Sequence, residues 1–187
     1  MHCICHTPRA SRATREAGFT LTELMITMGI VAILFGIGVP SYRYVTTANR
    51  MSSEINGLLG DLQFARSEAI REGQTVNVCV SSDGLTCAVG VTSWNSGWIV
   101  YSDLNGNGAP DSGEIFRKQA AFTAQDTLSG SINTLSFNRE GFLIGIASAD
   151  KLTLHDSTQN QAYSRCLSYT RTGLMATSTH TSDSTCT

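Results

Sequence analysis

Three groups of residues have types and spacings that can do chemistry. The first is Asp103-Leu104-Asn105-Gly106-Asn107-Gly108, followed by Asp111 and Glu114. It satisfies the D-x-[DN]-x-[DN]-G-x5-E spacing, in which oxygen ligands alternate around a glycine turn, enclose Ca²⁺ and end on a glutamate able to supply two oxygens. The second group is six cysteines, Cys3, Cys5, Cys79, Cys87, Cys166 and Cys186. The third is one acid, Glu23, near the start of an otherwise uncharged apolar run. Such an acid costs a few kcal/mol in a membrane span unless it is paired, so its default reading is a functional residue with a nearby partner. His155-Asp156, with Ser148 nearby in sequence, has neither a nucleophile elbow nor a paired-acid arrangement around it. A histidine at a strand end is the better reading, and no phosphate-binding glycine loop is present, so the sequence argues against an enzyme.

The elements that position these groups begin with the apolar run. From Phe19 to Val39 only Glu23 is charged, and as a helix this stretch is roughly 31 Å long, about the thickness of a bilayer's hydrocarbon core. Arg9, Arg12 and Arg15 precede it against one acid, Glu16, a bias that keeps the N-terminal side in the cytoplasm. No small-x-small cleavage site follows; the chain continues Val39-Pro40-Ser41-Tyr42-Arg43, so a conventional secretory signal peptide is disfavoured. Beyond Pro40, Met51, Ile55, Leu58, Leu62, Ala65 and Ala69 recur at helical spacing and predict an amphipathic helix to about Arg71. Arg50, Glu54, Asp61, Arg66, Glu68 and Arg71 fall on the other face, which reads as solvated.

Gly18-Phe19-Thr20-Leu21-Thr22-Glu23-Leu24 resembles the processing site of type IV prepilins and pseudopilins. The resemblance implies cleavage by a prepilin peptidase after Gly18, N-methylation of Phe19, and a Glu23 that pairs with the N-terminal amine of a neighbouring subunit during assembly. It also places Pro40 where many pilins carry a proline that kinks or locally melts the first helix.

After Gly73 the apolar period becomes alternating, with Val76, Val78 and Val80 on one face of a strand over 75–80. Further strands are expected over 86–91, 97–102, 114–122, 133–138, 142–147, 152–155, 163–169 and 174–178, separated by turns at Asp83-Gly84, Asn105-Gly106, Ser129-Gly130 and Glu140-Gly141. The Ser/Thr-rich end, 176–187, reads as loose. The residues Trp94…Gly97-Trp98…Asp103-x-Asn105-x-Asn107-Gly108…Asp111-x-Gly113-Glu114…Arg117, then Phe137 and Gly141, resemble the signature of minor pilins of the FimT/FimU kind and of type II secretion pseudopilin H. Strands flank the calcium-like loop where an EF-hand would have helices, so a metal-free polar hairpin is preferred over a Ca²⁺ site at Asp103, Asn105, Asn107, Asp111 and Glu114.

Cys3 and Cys5 lie in the expected leader. The other four permit three pairings; Cys79–Cys87, closing a turn, with Cys166–Cys186, tying down the tail, is favoured. Some FimT-like proteins bind DNA through a C-terminal GRxR motif. Here the corresponding stretch, Arg171-Thr172-Gly173-Leu174-Met175-Ala176, keeps the glycine but lacks both arginines. Arg165 and Arg171, with Arg117 or Lys118, remain as a possible phosphate-binding patch. The whole chain has 13 basic and 15 acidic residues; without Arg9, Arg12, Arg15 and Glu16 the net charge moves from −2 to −4, which disfavours DNA.

The expected architecture is α+β, a pilin-like fold. Residues 1–18 form a leader, 19–39 the membrane-spanning half of the helix, 40–72 its amphipathic half, and 73–187 a mainly antiparallel β domain beyond the inner membrane. The function expected from the resemblance is a non-enzymatic minor pilin, assembled with other pilins in a type IV pilus. Pseudopilin H of a type II secretion system and a DNA-binding minor pilin are the alternatives. Gene neighbourhood would separate the first two, and salt-dependent gel shifts would test the third.

Overall fold

A computed structural model describes residues 18–186 of the 187-residue chain. All of the expected leader except Gly18 lies outside the described residues, including Cys3 and Cys5. Helix α1 runs Leu21–Glu72. Thr20 caps it: its hydroxyl accepts the Glu23 N–H at 3.2 Å and its carbonyl accepts the Leu24 N–H at 3.1 Å. A threonine followed three residues later by glutamate is a capping-box sequence, and a carboxylate in the first turn is favoured by the helix dipole. Pro40 lies inside α1 and supplies no N–H to the carbonyl one turn earlier. The helix stops at Gly73, whose φ of +68° suits glycine and whose N–H reaches the Ala69 carbonyl at 3.0 Å.

The chain divides into two compact units, one ending at Tyr42 and the other beginning at Arg43. In the first unit the apolar side chains of α1 are exposed, among them Ile33, Leu34, Phe35 and Ile37. The helix is long and apolar enough to cross a membrane, with a mean hydropathy of 2.1 over its most apolar 18 residues. In the second unit Met51, Ile55, Leu58, Leu62, Ala65 and Ala69 are buried, the same six residues that form the apolar stripe in the sequence.

Two antiparallel sheets contribute the rest of the core. The first has the order β3-β2-β1-β5-β6, built from Ile115–Ala120, Gly97–Ser102, Val76–Val80, Thr134–Phe137 and Leu143–Ile144. The second has the order β4-β7-β8-β9, from Thr127–Ser129, Asp150–His155, Arg165–Tyr169 and Met175–Thr179. The alternation read in the sequence sets the central register, with Val78 opposite Val100 on β2 and Leu135 on β5. Val76, Val78 and Val80 join the α1 stripe, Trp94, Trp98 and Phe137 in one cluster that extends to Leu128, Leu152, Leu154 and Leu167 of the second sheet. On the other side of β1, Cys79, Ile99 and Tyr101 form a smaller cluster with Cys87 and Ile115.

The strand expected over 86–91 is absent. The Cys79–Cys87 disulfide closes this segment, and Asp83 gathers the Leu85 and Thr86 N–H groups at 2.8 Å, curling the chain where a ladder would need it extended. These bonds, with the Thr86 and Ser81 hydroxyls, hold the Asp83 carboxyl well below the usual carboxylate range. Conversely, Thr127–Ser129 is a strand that its three residues are too short to announce; pairing with β7 and burial of Leu128 create it. The tail is not loose. Met175–Thr179 pairs along β8, and a Cys166–Cys186 disulfide holds a fully buried Cys186.

Gly97 explains the glycine between the two tryptophans. Its φ is +105°, and a Cβ there would lie 2.5 Å from the Gln119 carbonyl oxygen and 2.8 Å from that of Ser81. Both obstacles are backbone, so Gly97→Ala is expected to destabilise the domain by about 2–4 kcal/mol. Urea denaturation of the two proteins checks this.

Candidate functional site

The sequence points to four places, and the structure treats them differently. At the N-terminal end, Phe19 is largely exposed and Glu23 lies in the first turn of α1. Thr20 and Thr22 hydroxyls lie 3.1 Å apart beside it. Glu23 therefore has two physical roles available, as the acid of the first helical turn and as a charge presented from an apolar surface.

The loop between β2 and β3 holds Asp103, Asn105, Asn107, Asp111 and Glu114 together. Asp103 accepts the N–H groups of Asn107 (3.0 Å) and Gly108 (2.9 Å). The amide groups of Asn105 and Asn107 donate to one oxygen of Asp111, at 2.6 and 3.0 Å. Glu114, nearly buried, accepts the N–H groups of Leu104 (2.9 Å), Asn105 (3.3 Å) and Asp111 (3.1 Å). A calcium ion here would have to displace the two amide donors aimed at Asp111. The loop's oxygens already serve its own N–H groups, which is what a polar hairpin requires.

The cations do not gather into one patch. Arg165 starts β8 and donates to the carbonyl of Ser164 at 3.0 Å, whereas Arg171 lies beyond the opposite end of that strand. The strand between them, Arg165–Tyr169, alone spans about 13 Å, and Arg171 sits in the turn after it. Arg117, on β3 in the other sheet, pairs with Asp61 at 2.9 Å, its guanidinium 3.7 Å from the Phe64 ring centre. His155 meets Ser164 at 3.1 Å, but the carboxylate of the neighbouring Asp156 serves the Thr158 hydroxyl and the Asn160 N–H instead.

The charged face of α1 is not simply solvated. Arg66 donates to the carbonyls of Gly141 and Gly173, each at 3.0 Å, clasping two turns. Asp61 accepts the Trp98 indole N–H at 2.9 Å. Arg50 grips the buried Asp126 through two bonds, at 2.7 and 2.9 Å. One turn on, Glu54 keeps a buried oxygen, Oε2, with no hydrogen-bond partner. Burial, and then the charge of Asp126, push its carboxyl up to about 7. Arg50 and Glu54 are four residues apart on the helix, but Asp126, distant in sequence, takes the arginine.

A family model described as Type II transport protein GspH matches residues 54–173, more than half of the chain. The chain belongs to the GspH family. A second model, the prokaryotic N-terminal methylation motif, matches residues 13–39. This GspH-family protein is 33% identical over 72 residues to Type II secretion system protein H of Pseudomonas aeruginosa, covering 38% of this chain and 41% of that one. It is 30% identical over 101 residues to Pilin-like protein PilA1 of Thermus thermophilus, covering 53% and 56%. The chain thus spans about half the length of these curated relatives. Its fold is that of the Pseudomonas aeruginosa type IV minor pilin FimU, with a TM-score of 0.56 at 20% identity over 71% of this chain and 91% of that one.

Glu54 gives the domain a pH dependence of known sign. Its folded pKa lies above the ordinary carboxyl value, so the folded chain holds this proton more tightly than the unfolded one. The stabilisation is complete below the ordinary value near 4.5 and lost as the pH rises through about 7. Glu54→Gln should flatten that fall. Between pH 5 and 8 the native protein should lose on the order of 2 °C more in Tm than the variant; parallel melting curves would contradict this.

Proposed function

We propose that this GspH-family protein is a minor pilin, a non-enzymatic subunit of a type IV pilus. In this reading a prepilin peptidase cuts after Gly18 and Phe19 becomes the methylated N-terminus. The first half of α1 then rests in the inner membrane with its start on the cytoplasmic side. The β domain lies in the periplasm until the subunit enters a filament, where the same apolar half packs among other pilins. The observation that carries the proposal is the methylation motif ending in an apolar helix whose side chains are exposed, joined to a GspH-type domain with its own closed core.

A second reading, pseudopilin H of a type II secretion system, is favoured by the family description and by the Pseudomonas aeruginosa secretion relative. Deleting the gene separates the two: loss of surface pili supports the first, and retention of normally exported enzymes in the periplasm supports the second.

Glu23 tests the assembly role common to both. Glu23→Ala removes a charge that is costly in lipid, and the alanine cannot pair with a neighbouring subunit's amine. Membrane levels of the variant should match those of the native chain, while its amount in sheared filaments falls by at least about tenfold, the effect of losing about 1.4 kcal/mol of docking energy. Equal recovery in filaments would contradict the role assigned to Glu23.

A further inference from the structure

Glu54 borders a pocket of about 340 Å³ between α1 and the β2–β3 side of the first sheet, faced by Trp98, Gln119, Phe122 and Thr123. Gly57 keeps the helical wall open, since a Cβ there would meet no atom within 4 Å. Phe122 is half-buried and stands edge-to-face against the buried Trp98, with ring centres 6.1 Å apart. The Trp98 indole N–H is occupied by Asp61, so the pocket receives ring surface there and not a free donor.

The charges around Glu54 do not balance. Arg50 is the neighbouring cation, and its guanidinium donates both of these hydrogen bonds to Asp126 on the approach to β4. Asp156, at the end of β7, adds a third carboxylate within reach of the same guanidinium. Among the described residues Oε2 of Glu54 has no hydrogen-bond partner, and its nearest carboxyl neighbour, Asp126, already holds the arginine. A half-buried carboxylate beside aromatic rings favours an organic cation: the carboxylate attracts the charge, and the rings hold both the cation and its methylene stem. A metal ion is a poorer match, because among the described residues no group of three or more His, Cys, Asp or Glu side chains is placed to hold one.

We propose that this pocket receives a lysine or arginine side chain of a neighbouring subunit in the assembled filament, its cation pairing with Glu54 and its stem lying along Phe122. The inference rests on the assembly reading above. It makes the α1–β3 face a specific lateral contact, in addition to the packing of the apolar half-helices. Entry of the cation draws the proton from Glu54, so the contact forms with release of a proton near neutral pH.

The test places a photo-reactive amino acid at the exposed position 119, on the pocket rim, in the full-length chain within cells that assemble the filament. Cross-linked products from sheared filaments are then mapped by mass spectrometry, in the native background and with Glu54→Gln. The expected result is a product with another subunit, joined within a few residues of a lysine or arginine and reduced at least tenfold by Glu54→Gln. Melting of the variant in detergent verifies that it folds, as replacing a half-buried carboxyl by an amide of the same shape should allow. A product unaffected by the substitution, one joined far from any basic residue, or none from filaments that contain the chain overturns the pocket proposal alone. Absence of the native chain from filaments overturns the assembly reading, and this inference with it.

Discussion

Burial of one stripe of α1 is the constraint on which the domain depends. Met51, Ile55, Leu58, Leu62, Ala65 and Ala69 lose all but a trace of their exposure, and each of the larger four contributes about 1.5–3 kcal/mol by leaving water. The stripe covers the inward valines of β1 and the aromatic residues around β2, and the same core continues into the second sheet. Because the strands meet this helix through alternate residues, a one-residue slip of β1 would present Asn77 and Cys79 to the stripe in place of the valines. The helix thus fixes the register of the sheet as well as its position.

The opposite face of the same helix gains its contacts from that arrangement. Once β2 is seated, Trp98 brings its indole N–H to Asp61, and the Gly141 and Gly173 turns fall under Arg66. Arg50 reaches Asp126 on the approach to β4, tying the second sheet to the helix. These bonds consume most of the charge on that face and leave Glu54 as the exception. A protein held together by its own polar contacts usually leaves few such exceptions, and each one asks for a partner. In the first unit the constraint is reversed. There the apolar side chains of the helix are exposed among the described residues, a surface suited to a lipid bilayer or a bundle of like helices.

Much of this was legible in the sequence because it follows from period. The spacing of the stripe identified all six buried helix residues, and the alternation of Val76, Val78 and Val80 identified the central strand. The motif from Gly18 to Leu24 likewise carries local information that needs no fold to be read. What escaped was decided by distant partners. Residues 86–91 look like a strand until a disulfide and the acceptors of Asp83 bend them. Thr127–Ser129 is a strand only because β7 pairs with it, and the Ser/Thr-rich tail is ordered by Cys166, twenty residues earlier. The charged face of α1 read as solvated because helical spacing shows only a helix's own charges, whereas Asp126, 76 residues later, takes Arg50. The glutamate most exposed to functional consequence was therefore the one that local rules described as ordinary.

The central claim is that one helix serves two environments, with its apolar half released from a leader and given a new N-terminus at Phe19. Mass spectrometry of the chain purified from membranes or sheared filaments tests this most directly. The account predicts an N-terminal peptide that begins with N-methyl-Phe19 and contains an unmodified Glu23. A chain that retains Met1, or one that begins near Ser41 after loss of the apolar half, would contradict it.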